Sequence, residues 1–380
     1  MKSIRGGVLP ATIFAISFFA STTVSPAPAS AGGGGHQPFL PDIIISSTIP
    51  GNGDLNPYGV AIVPQGFPSG GTIAPGDVLV SNFNNSANGQ GTGTTIVKLT
   101  PNGLVAPPPA MAGGSGNATT FFQGAAAGLG LTTALGVLQR GFVLVGNVPT
   151  SGGVIVPPGS LLFLDRNGNQ IASYTNQLNG PWDLTIDDEF DHALVFVSNV
   201  NTGTVTRLNL AISSTAITVT SATVIASGYS VAANMAALIL GPTGLAYDAQ
   251  TDILYVASTQ DNMIFAVPQA GHRTASSGTG AVIFQDPHLR GPLALVFAPN
   301  GDLLTANGDA TPNADATQPS EIVEFTKKGK FITQFNVDAA QGGAFGIAVA
   351  NVSRDVVRFV FVDDVANDMT VFDREASPED

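Results

Sequence analysis

The chain has 380 residues, 11% of them charged and 44% hydrophobic, with 45 glycines, no cysteine and a formal net charge of −13 at pH 7. The acidic balance argues against a nucleic-acid or anionic-membrane partner, and the lack of cysteine excludes a small disulfide-stapled scaffold. Few charges with abundant Gly, Val, Ile and Thr favour an all-β protein with many turns.

The N-terminus reads as a targeting segment. Lys2 and Arg5 supply a basic start, Ile13 to Ala20 an apolar core, and Ala29-Ser30-Ala31 a small-x-small cleavage site before Gly32. The apolar run is too short to span a bilayer comfortably. Residues 1–31 are therefore expected to be a signal peptide and 32–41 a Gly-rich leader. The mature chain is expected to be secreted or periplasmic, soluble, monomeric and without a membrane span. Its expected partners are a protein or a small molecule.

Strand patterns begin at Asp42. "DIIISSTI", Asp42 to Ile49, has no partner close to it in sequence. "NPYGVAI" (Asn56 to Ile62), "GDVLVSNFNNS" (Gly76 to Ser86) and "TTIVKLTPNG" (Thr94 to Gly103) follow, then an insertion rich in Ala, Gly and Pro. The weakest copy of the same pattern is "TTALGVLQRGFVLVGNVP" (Thr132 to Pro149) with "SLLFLD" (Ser160 to Asp165). The clearest is "GPWDLTID" (Gly180 to Asp187), then "LVFVSNVNTGTVTRL" (Leu194 to Leu208). Three more copies start at "GPTGLAYD" (Gly241), "GPLALVFAPNGDLLTANGD" (Gly291) and "GAFGIAVA" (Gly343), the last with "RFVFVDDVANDMTVFD" (Arg358 to Asp373). Outer strands follow some copies, as in "AITVTSATVIA" (Ala216 to Ala226) and "GKFITQFNV" (Gly329 to Val337).

Six copies of four short antiparallel strands, at roughly 45–60 residue spacing, predict a single six-bladed β-propeller over 42–375 with a polar tail at 376–380. The last copy lacks its fourth strand. The orphan strand Asp42 to Ile49 is expected to close the ring by pairing with that blade, which removes two exposed edges. The quoted patterns resemble NHL repeats, and the chain is similar to bacterial NHL-repeat or YncE-like propellers. Met263 and Met369 stand where such repeats usually carry a basic residue. The RNA-binding surface that some NHL domains have is thus not expected here.

Why does an apolar strand end in a short polar amide? In a propeller, the end of each second strand and the start of the next innermost strand share one face. This puts Asn82, Asn147, Asn199, Asn307 and Asp363, with Thr259 as the stand-in, in a ring there, joined by Tyr58, Trp182, Asp183 and Phe345. Asn and Asp at strand ends cap turns. Alternatively they line the channel mouth and bind a ligand. Asp183, Asn199, Asn307 and Asp363 are the oxygen donors that could hold a cation, and such donors suit Ca²⁺. Trp182 is either part-exposed at the mouth beside Asp183 or a core filler between blades.

Other motifs are weaker. His36, His192, His272 and His288 form no short-spaced ligand pair, although His272-Arg273 and His288-Leu289-Arg290 could approach each other. No nucleophile elbow or phosphate loop is present. The Gly-rich stretches 88–93 and 113–116 read as flexible loops, and Asn84 and Asn117 head glycosylation tripeptides. Two functions are weighed, the first as the expected one and the second as its alternative. One is a non-catalytic binding or scaffold module, without a required cofactor, that uses the mouth face. The other is a metal-dependent hydrolase resembling the gluconolactonase, paraoxonase and strictosidine-synthase-like propellers, although "NPYG" stands where that group has an acidic ligand.

Overall fold

The computed structural model describes residues 42–101, 118–125, 127–308 and 320–375. The expected signal peptide and leader, the polar tail, most of the first insertion, His36 and Asn117 lie outside the described residues. Each sequence copy forms one antiparallel blade. Blade 1 is Leu55–Ile62, Val78–Asn84, Thr95–Leu99 and Thr119–Gln123. Blade 2 is Leu131–Leu138, Phe142–Asn147, Ser160–Asp165 and Gln170–Tyr174. Blade 3 is Pro181–Asp188, His192–Asn199, Thr204–Ile212 and Ile217–Ser227. Blade 4 is Pro242–Asp248, Ile253–Ser258, Met263–Pro268 and Ala281–Phe284. Blade 5 is Pro292–Phe297, Leu303–Asn307, Ser320–Phe325 and Phe331–Asp338. Blade 6 is Ala344–Ser353, Val356–Asp363, Asp368–Glu375 and, from the other end of the chain, Asp42–Ser47. No helix occurs among the described residues, and so none is long and apolar enough to cross a membrane.

The burial of each strand follows from its place in the blade. Second strands are sandwiched between neighbouring blades, so both faces are apolar and Val78–Asn84 is buried at every position. Fourth strands face outward, and Gln170–Tyr174 has only exposed and half-buried positions. Large apolar side chains fill each space between blades, such as Leu144, Phe163 and Val195 between blades 2 and 3. The expected closure is present: Asp42 to Ser47 pairs with Asp373 to Asp368. Thr48 reinforces it, since its N–H and hydroxyl both donate to the Asn367 carbonyl.

The six innermost strands pack side by side in a closed ring. Each has a register shift at the same place, between Pro57 and Val60, Leu131 and Leu135, Pro181 and Leu184, Pro242 and Leu245, Pro292 and Leu295, and Ala344 and Ile347. A bulge of this kind brings adjacent strands close. The residue just before the second anchor is Gly59, Ala134, Asp183, Gly244, Ala294 or Gly346. A Cβ on Gly244 would lie 2.1 Å from the Leu293 carbonyl oxygen, and one on Gly346 2.2 Å from that of Tyr58. This explains the recurring Gly of "PYG", "PTG" and "AFG": the inner ring needs a small residue there.

Candidate functional site at the channel mouth

The inner strands start at the face that carries the strand-end amides. There the channel is not open. Tyr58 stacks on Phe83 with ring centres 4.8 Å apart, touches Phe345 at 4.7 Å, and meets the Trp182 edge at 6.1 Å. With Leu293 these rings form an apolar plug, and Trp182 is only 1% exposed. Of the two expected positions for Trp182, the structure shows the core one. The part-exposed position is corrected: the large ring fills the narrowing channel rather than its rim.

Two short ribbons roof the plug. Thr150–Ser151 with Val154–Ile155 grows out of blade 2, and Ala232–Asn234 with Leu238–Leu240 connects blades 3 and 4. Ile155, Leu238 and Ile239 pack down onto the plug. Both ribbons reach the glycine-rich loop of blade 1: Thr150 donates to the Gly91 carbonyl and the Gln90 amide donates to the Ala236 carbonyl. That loop reads from sequence as flexible. It is instead pinned, and a Cβ on Gly93 would collide with the Asn82 carbonyl oxygen at 2.1 Å.

The strand-end amides act as latches. Asn147 accepts the Gly130 N–H and donates to the Gly128 carbonyl and the Ser160 hydroxyl. Asn199 accepts from Asn179 N–H and donates to Thr206, and Asn307 accepts from Arg290 N–H and donates to His288 and Glu321. Asn82 only donates, to the Thr48 carbonyl and the Thr95 hydroxyl, and its own side-chain oxygen is buried without a partner, while Thr259 donates to the Pro292 carbonyl. Each latch ties the chain entering a blade to that blade's third strand or to the next inner strand. Asp363 caps its own turn through the Val365 and Ala366 N–H groups.

These roles keep the four expected cation donors apart. Asn199, Asn307 and Asp363 are consumed within blades 3, 5 and 6. Asp183 faces away from them, into the channel on the other side of the plug. Among the described residues, no three His, Asp or Glu are grouped to hold a metal. The His residues are occupied separately: His192 between Glu189 and Asp191, His272 on Asp252, and His288 on Asp286 while stacked on Phe331.

A pocket of about 420 Å³ remains beside the plug, under the roof. Tyr58, Phe83 and Phe345 form its floor, and Asn56, Asn84, Asn88, Gln90, Asp364 and Asn367 its polar wall. Asn56 is left-handed (φ 61°) and its N–H donates to the Asn367 side chain. Asn84 is 2% exposed and donates to Asn88. The side-chain oxygens of both Asn56 and Asn84 are buried with no hydrogen-bond partner. A buried acceptor left unpaired is costly, and two such side chains flank this one pocket. The same burial removes Asn84 as an acceptor for a glycan. Of the sequence candidates, Tyr58 and Phe345 line this pocket. Asn56, Asn84, Gln90 and Asp364 were missed, although Asn56 sits in the quoted "NPYG".

Beside the mouth, burial pushes the Asp368 carboxyl up to about 7, helped by the charges of Asp363 and Asp338. Burial and Asp338 likewise raise Asp363, to about 6. Asp183 is raised further, to about 8, by burial, against the Leu184 N–H that its carboxyl accepts.

No protein-family model and no curated protein matches the chain. The NHL resemblance therefore stays at the level of the repeat pattern and the six-bladed fold. Among solved structures, the chain is similar to a luciferin-regenerating enzyme (10% identity over 89% of this chain and 96% of that one, TM-score 0.51). It is also similar to a gluconolactonase from Xanthomonas campestris (11% identity, 87% and 89% covered, TM-score 0.51). A third is a calcium-binding regucalcin from Agrobacterium tumefaciens (14% identity, 87% and 94% covered, TM-score 0.49). At these identities the similarity is one of fold.

Proposed function

We propose that the roofed pocket binds a small polyhydroxylated molecule of the sugar or sugar-lactone class. The observation that carries this reading is the pair of buried, unpartnered amide oxygens of Asn56 and Asn84 above an aromatic floor. Ligand hydroxyls donate to Asp364 and, once the two amides turn toward the pocket, to those oxygens. The C–H face of the ring lies against the small apolar surface that Tyr58 and Phe83 leave exposed, within a lining that is mostly polar.

A lactone-hydrolysing reading of the same pocket draws on the fold shared with the Xanthomonas campestris gluconolactonase. Ca²⁺ fits the donors poorly. Among the described residues Asp364 is the one carboxylate lining the pocket, and Asp183, Asn199, Asn307 and Asp363 do not converge on it. No hydrolytic step is therefore assigned.

The test is a fluorescence titration with glucose, xylose and gluconolactone, with and without CaCl₂. The single Trp touches two floor rings, so ligand on the floor shifts its emission. Asn84→Leu, which removes one unpaired acceptor, abolishes the shift and keeps the fold. No shift with any sugar, or the same shift in Asn84→Leu, overturns the binding reading. Lactone turnover that appears only with CaCl₂ favours the hydrolase. We also propose that the protein works after export. N-terminal sequencing that finds a start near Gly32 supports this, and an intact Met1 in the cytosol contradicts it.

A further inference from the structure

The other side of the plug holds a second cavity, of about 360 Å³, lined by all six inner strands. Its walls are Leu135, Ile186, Leu245, Val296 and Ile347, with the rings of Tyr247 and Phe297. Val137, Ile186, Tyr247, Phe297 and Val349 are half-buried, so the cavity opens toward the C-terminal ends of the inner strands. Asp183 stands at its inner end.

That Asp breaks the rule of the repeat. The equivalent residue is Gly59, Ala134, Gly244, Ala294 or Gly346 in the other blades, where the inner ring demands a small side chain. Blade 3 alone puts a carboxyl there. It is held in place: the Asp183 N–H donates to the Ser198 hydroxyl, and one carboxyl oxygen accepts the Leu184 N–H. No ionisable group of the described residues pairs with it. Departures from local consistency of this kind concentrate at functional sites.

We propose that this cavity is a ligand site for a small organic ammonium, whose charge is met by Asp183 and whose hydrocarbon body lies against the apolar walls, Tyr247 and Phe297. Charge complementarity selects the class. Among the described residues that line the cavity, Asp183 is the one carboxyl, Tyr247 carries a phenol, and there is no base. Asp187, at the end of the Asp183 strand, is half-buried, and its charge reaches Tyr247. Lys327 lies over the Phe297 ring, but it is paired with Asp248. The aromatic rings favour a cation over an anion. Binding couples to a proton: the neutral Asp183 acid gives up H⁺ to solvent, and R–NH₃⁺ enters as the counter-ion of the carboxylate. The site is independent of the mouth pocket.

Calorimetry with cyclohexylammonium, cyclohexanol and cyclohexanecarboxylate tests it. Expected is binding of the ammonium alone, with release of close to one proton at pH 6. Its affinity should rise nearly tenfold per pH unit from 6 to 7 and level off above about 8. Asp183→Asn loses at least tenfold in affinity. Val349→Trp, which narrows the open end and spares the carboxyl, also weakens binding. Asn84→Leu changes nothing, which separates this site from the mouth. Equal binding of cyclohexanol, affinity independent of pH, an unaffected Asp183→Asn, or no binding at about 10 mM ligand overturns the proposal.

Discussion

Replacing Asp183 by Asn should stabilise the protein, and by an amount set by pH. Burial raises the carboxyl from 3.8 to about 8. The folded state therefore holds a proton that the unfolded chain releases from about pH 4 upward. Stability from this group is complete below the unfolded value and is lost progressively as pH rises through the folded one. At 1.36 kcal/mol per unit, the full shift is of the order of 5 kcal/mol at pH 8. Asn is nearly isosteric with the neutral acid, and its oxygen keeps the Leu184 N–H bond. The variant should match the parent within about 1 kcal/mol at pH 4 and exceed it by about 3–5 kcal/mol at pH 8. Urea unfolding followed by circular dichroism at pH 4, 6 and 8 reads this directly. Asp363 and Asp368, raised in the same direction, leave a residual downward slope in the variant. A difference that does not change with pH, or a parent that gains stability as pH rises, would refute the reasoning.

Three further outcomes follow from the packing. Trp182 should emit at short wavelength and resist acrylamide, and Trp182→Ala should cost about 3–5 kcal/mol by opening the plug; a red-shifted, quenchable Trp contradicts the plug. Asn199→Ala strands the Asn179 N–H and takes one donor from the Thr206 hydroxyl, which keeps its bond to the Gln177 carbonyl, and should cost roughly 1–3 kcal/mol in urea unfolding, whereas no loss means the latch is ornamental. Deleting Asp42–Ser47 uncovers the edge of Asp368–Glu375 and should produce aggregation on size-exclusion chromatography; a monomer that melts like the parent would show that the closure contributes nothing.

The fold was legible because repetition amplifies weak signals. No single strand in "GPWDLTID…LVFVSN" specifies a propeller, but six such copies do, and an orphan strand at one end matches a missing strand at the other. The amides were legible as a device, and Asn199 shows why their role was ambiguous: a strand-end side chain reaches the mouth or the incoming loop with equal ease, and only packing decides. Asp183 could be placed on the inner strand but not aimed. The bulge between Pro181 and Leu184 turns Trp182 into the plug and Asp183 into the channel beyond it. The pocket itself was hidden, because its roof comes from two ribbons outside the repeat, and its unpaired oxygens belong to Asn56 and Asn84, beside the residues that the pattern picked out. Aligning the six copies at the bulge would have revealed Asp183 as the exception among five small residues.

The most direct test of the mouth as a ligand site is ligand-observed saturation-transfer NMR with glucose and gluconolactone on the parent protein, Asn84→Leu and Asp183→Asn. The predicted result is transfer to the sugar C–H protons in the parent and in Asp183→Asn, and none in Asn84→Leu. Transfer that persists in Asn84→Leu, or that is absent from the parent, would contradict a sugar seated on Tyr58 and Phe83 beneath the roof.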